Sequence, residues 1–106
     1  MISLDSEGRL GEVRQHERFS EECSGSHPHQ TVVLGDTVWV VDRGCDKVWQ
    51  YQHIQGSLER RAGLSTPPGC GPRHMTLHPD NSRAFLLCER QSRVLVYRSA
   101  IAIVVQ

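Results

Sequence analysis

The sequence predicts an all-β fold made of four-stranded antiparallel β-propeller blades, present as a partial propeller. Short runs rich in β-branched and aromatic residues alternate with turn residues along most of the 106 residues. No long stretch shows the apolar periodicity of a helix. The pattern of runs and turns also occurs twice, at a spacing in the mid-forties, which is typical of a propeller blade.

The first copy of the repeat contains four predicted strands. Gly35 and Asp36 suit a two-residue hairpin turn between the first two strands. The second strand, TVWVVD, is strongly β-branched and aromatic. In chain order the predicted strands are Pro28–Leu34, Thr37–Asp42, 47–52 and 58–61.

The second copy repeats this order with three strands. The segment DKVWQY at 46–51 matches SRVLVY at 92–97, an offset of 46 residues, whereas the first strands are offset by 44. A dense turn signal, Pro-Asp-Asn-Ser at 79–82, separates the first two of these strands. The strands are predicted at 73–78, 83–89 and 93–98.

The repeat divides the chain into parts of successive blades. Residues 1–12 are expected to end a preceding blade, with a hairpin turn at 5–8, residues 28–61 to form the first blade, residues 72–98 most of the second, and residues 99–106 a divergent tail. A closed propeller needs about four to eight blades. We therefore expect a piece of a larger ring, marginally stable alone and prone to self-association through open blade faces.

Composition excludes several classes of partner. Lys and Arg together number 12, as do Asp and Glu, so the formal net charge is zero and neither nucleic acid nor a membrane is expected as a partner. The first ten residues lack the features of a signal peptide. The cysteines, at 23, 45, 70 and 88, form no CxxC pair, so we expect free thiols and a cytoplasmic location.

Four motifs, in order, carry a resemblance to a known family. They are Ser-His-Pro-His at 26–29, DRGCDKVWQY at 42–51, GPRHMTLHP at 71–79, and Cys-Glu at 88–89. Over about residues 24–98, and more weakly over 1–12, the chain resembles the lactonase-type seven-bladed propellers, which include the propeller-type 6-phosphogluconolactonases and carboxy-muconate cyclase. Cys88 stands where the family usually has Asn, and the residues after 98 depart from the family pattern.

The resemblance implies a lactone hydrolase of the 6-phosphogluconolactonase type, which opens an anionic sugar lactone in carbohydrate metabolism, in the pentose phosphate pathway. This chain is too short for a whole propeller, so the site is expected to be incomplete in it. Two alternatives stay open. One is a non-catalytic propeller fragment or binding module, and the other is a muconate-type lactonising cyclase, which uses similar groups in the reverse direction.

The site residues implied by the resemblance are Arg73, Glu89, and a histidine at 27 or 29. A glutamate and a histidine can share acid–base work on a lactone, and an arginine can bind an anion or stabilise an oxyanion. Arg73 also suits an ion pair at a strand end, and Glu89 also suits a solvated turn.

The other histidines and the aromatic residues are assigned to the scaffold. His78 is expected to build a turn, and strand alternation predicts that His74 packs within the blade. No cofactor is predicted, and no metal, because no carboxylate or cysteine stands at ligand spacing from His27 and His29. Five aromatic residues are predicted to pack between blades: Trp39, Trp49, Tyr51, Phe85 and Tyr97.

Overall fold

The computed structural model describes residues 1–98, and the tail predicted at 99–106 lies outside them. The described chain forms three antiparallel sheets, each with its strands in chain order. The first is a hairpin of β1 (Ile2–Leu4) and β2 (Leu10–Val13). The second contains β3 (Pro28–Leu34), β4 (Thr37–Asp42), β5 (Lys47–Ile54) and β6 (Ser57–Ser65). The third contains β7 (Pro72–Leu77), β8 (Ala84–Cys88) and β9 (Arg93–Tyr97).

The predicted strands are confirmed, with small differences in their bounds. Strand β7 lies one residue earlier than predicted, and β8 and β9 are shorter by two residues and one residue. Strands β5 and β6 both extend beyond the predicted ranges and meet at a tight turn. Gln55 and Gly56 at this turn both have positive φ, 48° and 82°, which suits a two-residue hairpin turn whose twist matches that of the strands. The repeat is also visible in the backbone, because Asp46 and Ser92 adopt φ of 52° and 50° at equivalent turns.

The main core lies between the second and third sheets, which we call the first and second blades. Trp39 and Val41 of the first blade are buried in one apolar cluster with Met75 and Leu86 of the second. The first strands are also linked directly, since the Met75 amide donates to Gln30 Oε1 at 2.6 Å. The two blades are therefore held in a fixed relation where β3 and β7 run side by side.

A second cluster covers the other face of the first blade. Phe19 stacks on Trp49 at 4.8 Å between ring centroids and contacts Tyr51. Packing between blades is thus confirmed for Trp39 and Tyr97, whereas Trp49 and Tyr51 pack against the segment that leads from the hairpin. Phe85 instead lies on the opposite, half-buried face of the second blade.

The prediction of free thiols is wrong, because all four cysteines form disulfides, Cys23–Cys45 and Cys70–Cys88. The partners are 22 and 18 residues apart in sequence, but folding brings their Cα atoms to 6.1 and 4.6 Å. Spacing along the chain could not show this proximity. A cytoplasmic location rested on free thiols, so it loses that support and stays a prediction.

No helix within residues 1–98 is long and apolar enough to cross a membrane.

Candidate functional site

The first strands of both blades carry a pairing irregularity where the predicted site residues lie. In β3, Pro28 pairs with Asp42 but Gln30 pairs with Val41, so the shift falls at His29. In β7, Pro72 pairs with Cys88 but Met75 pairs with Leu86, so the shift falls at residues 73–74. A β-bulge redirects side chains and interrupts strict alternation. Both blades therefore present polar side chains at the same end of the sheet.

Arg73 and Glu89 form the centre of the site. Arg73 Nη1 lies 2.7 Å from Glu89 Oε1. Glu89 directly follows β8 and begins the 3-10 turn Glu89–Gln91. Their side chains are 40% and 33% exposed, so the pair is formed at a surface that a ligand can reach. Two residues predicted from the family motifs are thus in direct contact.

A second arginine completes this ion-pair cluster. Arg43 Nη1 lies 3.1 Å from Glu89 Oε2, so each carboxylate oxygen accepts from a different guanidinium group. The Nε atoms of both arginines are buried, with no partner among the described residues. The hydrogen bond from Arg73 and the charges of both arginines hold the pKa of Glu89 below its usual value, despite its partial loss of hydration. Glu89 is therefore ionised well below neutral pH.

Arg43 was not among the residues predicted from the sequence, although the repeat contained a signal for it. At the offset of 46 residues, Glu89 corresponds to Arg43 and Cys88 to Asp42. Both Arg43 and Glu89 directly follow the second strand of their blade. Because equivalent loops of neighbouring blades lie side by side, the residue equivalent to Glu89 was a candidate for the same site.

The His29 side chain lies close enough to this cluster for Arg73 and Arg43 to affect its ionisation. Loss of hydration, followed by the positive charge of Arg73, lowers the pKa of His29, and His74 and Arg43 act in the same direction. The His29 ring also lies edge-on to His74, with 5.0 Å between centroids. The prediction that His74 packs within the blade is wrong, since it is exposed beside the bulge that interrupts alternation in β7.

His27 contributes through its main chain. Its amide donates to Asp42 Oδ1 at 2.8 Å, and its carbonyl oxygen accepts from the Arg43 amide at 3.2 Å. Of the two predicted histidines, the structure thus associates the imidazole of His29 with the arginines and the backbone of His27 with the loop that carries Arg43. The turn role of His78 is confirmed, because its Nδ1 lies 2.7 Å from Asp80 Oδ1 and its backbone closes the turn.

A buried carboxylate fixes the loop that carries Arg43. Asp42 is fully buried. Its two oxygens accept five hydrogen bonds, from Ser26 Oγ, the amides of His27, Gly44 and Cys45, and Trp49 Nε1. Burial alone would raise the pKa of Asp42, but these hydrogen bonds outweigh it and the pKa is lowered. The residue before Arg43 is therefore an ionised anchor for the whole loop.

The segment that leads into Arg73 is anchored by the first blade. Asp46 accepts from the Gly69 amide at 2.9 Å and from the Gly71 amide at 2.8 Å. The Glu89 amide donates to the Gly71 carbonyl oxygen at 3.1 Å, beside the Cys70–Cys88 disulfide. Arg73 and Glu89 are therefore tied to each other through the backbone as well as through their side chains.

The described part of the chain contains a large cleft that is separate from this site. Residues 1–98 contain no group of three or more His, Cys, Asp or Glu side chains arranged to hold a metal ion. A cleft of about 600 Å³ lies between the N-terminal hairpin and the first blade, and its lining includes Val33, Val38, Val40 and Tyr51 but none of the predicted site residues. Such an apolar lining is typical of a face between blades.

Comparison with known proteins gives the family. The family model of the seven-bladed β-propeller lactonases matches residues 1–102. The match thus includes the first four residues of the tail that was expected to diverge from residue 99.

Curated relatives and solved structures agree with this match. The 6-phosphogluconolactonase of Bacillus subtilis is 36% identical over 85 residues, which cover 80% of this chain and 23% of that protein. The 6-phosphogluconolactonase of Pectobacterium atrosepticum is 32% identical over 100 residues, covering 90% of this chain and 29% of that protein.

Among solved structures, a protein from Lactobacillus plantarum superposes with a TM-score of 0.75 and 29% identity, over 97% of this chain and 32% of that one. The periplasmic gluconolactonase of Pseudomonas aeruginosa superposes with a TM-score of 0.76 and 27% identity, over 93% of this chain and 31% of that one. This chain therefore spans 23% to 32% of the length of these relatives. The chain belongs to the seven-bladed β-propeller lactonase family.

Proposed function

We propose that the protein containing this chain hydrolyses a sugar lactone, as a lactonase of the 6-phosphogluconolactonase type. The observation that carries the proposal is the convergence of Arg73, Glu89 and His29 from two neighbouring blades. Family membership and the names of the curated relatives support it. The two curated relatives are named for a phosphorylated lactone, whereas the Pseudomonas aeruginosa neighbour is named a gluconolactonase.

The geometry suggests a role for each side chain. The lowered pKa of His29 keeps its imidazole neutral at pH 7, so it can accept a proton from water as the water oxygen attacks the lactone carbonyl carbon. The guanidinium group of Arg73 stabilises the negative charge that develops on the carbonyl oxygen. The ring C–O bond then breaks, and the imidazolium returns the proton to the leaving ring oxygen.

Glu89 has a different role in this proposal. Because its pKa is lowered, it is a carboxylate at neutral pH and has no proton to donate. Its two oxygens instead orient Arg73 and Arg43 before the ligand binds. An arginine side chain that is already oriented loses less conformational freedom when the ligand binds.

The metabolic setting belongs to the same proposal. Opening of 6-phosphogluconolactone would place the reaction in carbohydrate metabolism, in the pentose phosphate pathway and in the cytoplasm. The two disulfides do not support the cytoplasmic part, because such bonds persist mainly in oxidising compartments.

The proposal is tested by lactone hydrolysis with the full-length protein that contains this chain. We expect hydrolysis of 6-phosphogluconolactone above the spontaneous rate, and a loss of about 100-fold or more in kcat/KM for Arg73→Met, since one oxyanion donor is worth about that much. Arg83→Met is the matched control, because Arg83 is exposed and precedes β8, at the strand end opposite Glu89.

Two results would contradict different parts of the proposal. A wild-type protein that does not accelerate hydrolysis of the lactone would contradict the activity. Hydrolysis that is equally fast in Arg73→Met and Arg83→Met would contradict the assignment of the site.

A further inference from the structure

We infer that Arg43 is a specificity-determining residue, which binds a phosphate carried by the sugar ligand. The inference rests on the proposed function for the location of the ligand, and it adds a second cation with a separate role. It begins from position, since Arg43 and Glu89 occupy equivalent places in two blades and contact each other across the gap at 3.1 Å.

The cluster contains one more positive charge than negative charge. Arg43 and Arg73 share the single carboxylate of Glu89, and His29 is neutral at pH 7 because its pKa is lowered. The cluster therefore carries a net charge of about +1 at a surface open to solvent. One anionic group from a ligand would balance it.

The donors of Arg43 are only partly used. A guanidinium group has five N–H donors, and Arg43 makes one side-chain hydrogen bond among the described residues, from Nη1 to Glu89. Its side chain is 32% exposed. Arginine can offer two parallel N–H groups to a phosphate, which makes it well suited to this anion. Since Arg73 is assigned to the carbonyl oxygen, Arg43 is left for the charged substituent.

The backbone of Arg43 is fixed before any ligand arrives. Its amide donates to the His27 carbonyl oxygen, and Asp42 anchors the loop from the preceding position. The next residue, Gly44, packs so closely that a Cβ atom there would lie 1.6 Å from the Gly25 carbonyl oxygen. The Cys23–Cys45 disulfide closes the same loop. A rigid loop limits the positions that the Arg43 side chain can reach.

The test compares two ligands that differ only by a phosphate. Calorimetry measures the binding of 6-phosphogluconate and of gluconate to the full-length protein. We expect the wild type to prefer 6-phosphogluconate, and the ratio of the two affinities to fall at least tenfold in Arg43→Met. Arg43→Lys, which keeps the charge but loses the forked geometry, should lower the ratio less, and the matched control Arg83→Met should keep it.

The outcomes separate this inference from the proposed function. An affinity ratio unchanged in Arg43→Met, or no binding of either ligand by the wild type, would overturn the inference. A ratio that falls in a protein that hydrolyses no lactone would support Arg43 and contradict the lactonase activity. If Arg43→Met does not fold, as judged by circular dichroism, the ratio in Arg43→Lys decides, and an unchanged ratio there overturns the inference.

Discussion

Glu89 forms ion pairs with one arginine from each of the two blades. One of its oxygens accepts from Arg73 in its own blade, and the other accepts from Arg43 in the preceding blade. Surface ion pairs add little to stability, so this cluster is better explained as an arrangement of charges for a ligand. In this cluster, one carboxylate orients two guanidinium groups.

The pKa of Glu89 provides a direct test of its ion pairs with Arg73 and Arg43. Arg73 makes the largest contribution to its low pKa, so we expect Arg73→Met to raise the pKa of Glu89 toward 4.5, as measured by NMR titration of the side-chain carboxyl. Arg43→Met should raise it less, because Arg43 contributes less. A Glu89 pKa at or above 4.5 in the wild type would contradict the ion-pair geometry.

The lowered pKa of Glu89 also predicts how the stability of the protein changes with pH. A carboxyl whose pKa is lowered by folding stabilises the protein above its ordinary pKa, and this contribution is lost as pH falls through the lower folded value. The wild type should therefore lose stability below about pH 4.5, its ordinary value, and Glu89→Gln should lose less over that range.

At the scale of elements, the two blades hold equivalent loops with different chemistry. In the first blade, Ser26 Oγ donates to the Asp42 carboxylate at 2.6 Å. The equivalent positions in the second blade, at offsets of 44 and 46, are Cys70 and Cys88, which form a disulfide. The departure of Cys88 from the family motif is thereby explained, since a covalent bond replaces the polar one next to Glu89.

The Cys70–Cys88 bridge should therefore support both stability and the site. Replacing both cysteines with Ala should lower the free energy of unfolding by about 3 kcal/mol, because the bridge closes a short loop in the unfolded chain. Removing Cys23–Cys45 in the same way is the matched control, with a loop of similar length. Denaturant unfolding should show similar losses for the two, whereas the loss of Cys70–Cys88, which lies directly beside Glu89, should raise the pKa of Glu89 more than the loss of Cys23–Cys45. Unfolding midpoints that do not respond to reducing agent would contradict this account.

The elements and part of the site could be predicted from sequence because their signals are local. Strand runs, turn residues and the repeat of 46 residues predicted the strands, with bounds that differ by one to four residues from β5 onward. Arg73 and Glu89 were predicted from motifs. The disulfides and His74 could not be predicted, because the first depend on distances between remote residues and the second on a bulge that shifts register by one residue.

At the scale of the whole molecule, the described residues form about two blades, and faces that a further blade could cover are open. Val94 and Val96 on β9 are more than half exposed, and so are Leu10 and Val13 on the N-terminal hairpin. Blades normally bury such faces against neighbours. The expected marginal stability and self-association of the isolated 106 residues therefore stay predictions that these surfaces support.

The central claim is that residues from two neighbouring blades bind one anionic sugar ligand. These residues lie at the starts of β3 and β7 and just after the last residues of β4 and β8. A crystal structure of the full-length protein with bound 6-phosphogluconate tests it most directly. We expect the ligand to lie within hydrogen-bond distance of Arg73 and His29, with its phosphate on Arg43. A ligand bound elsewhere, with the Arg43–Glu89–Arg73 cluster unchanged and untouched, would contradict it.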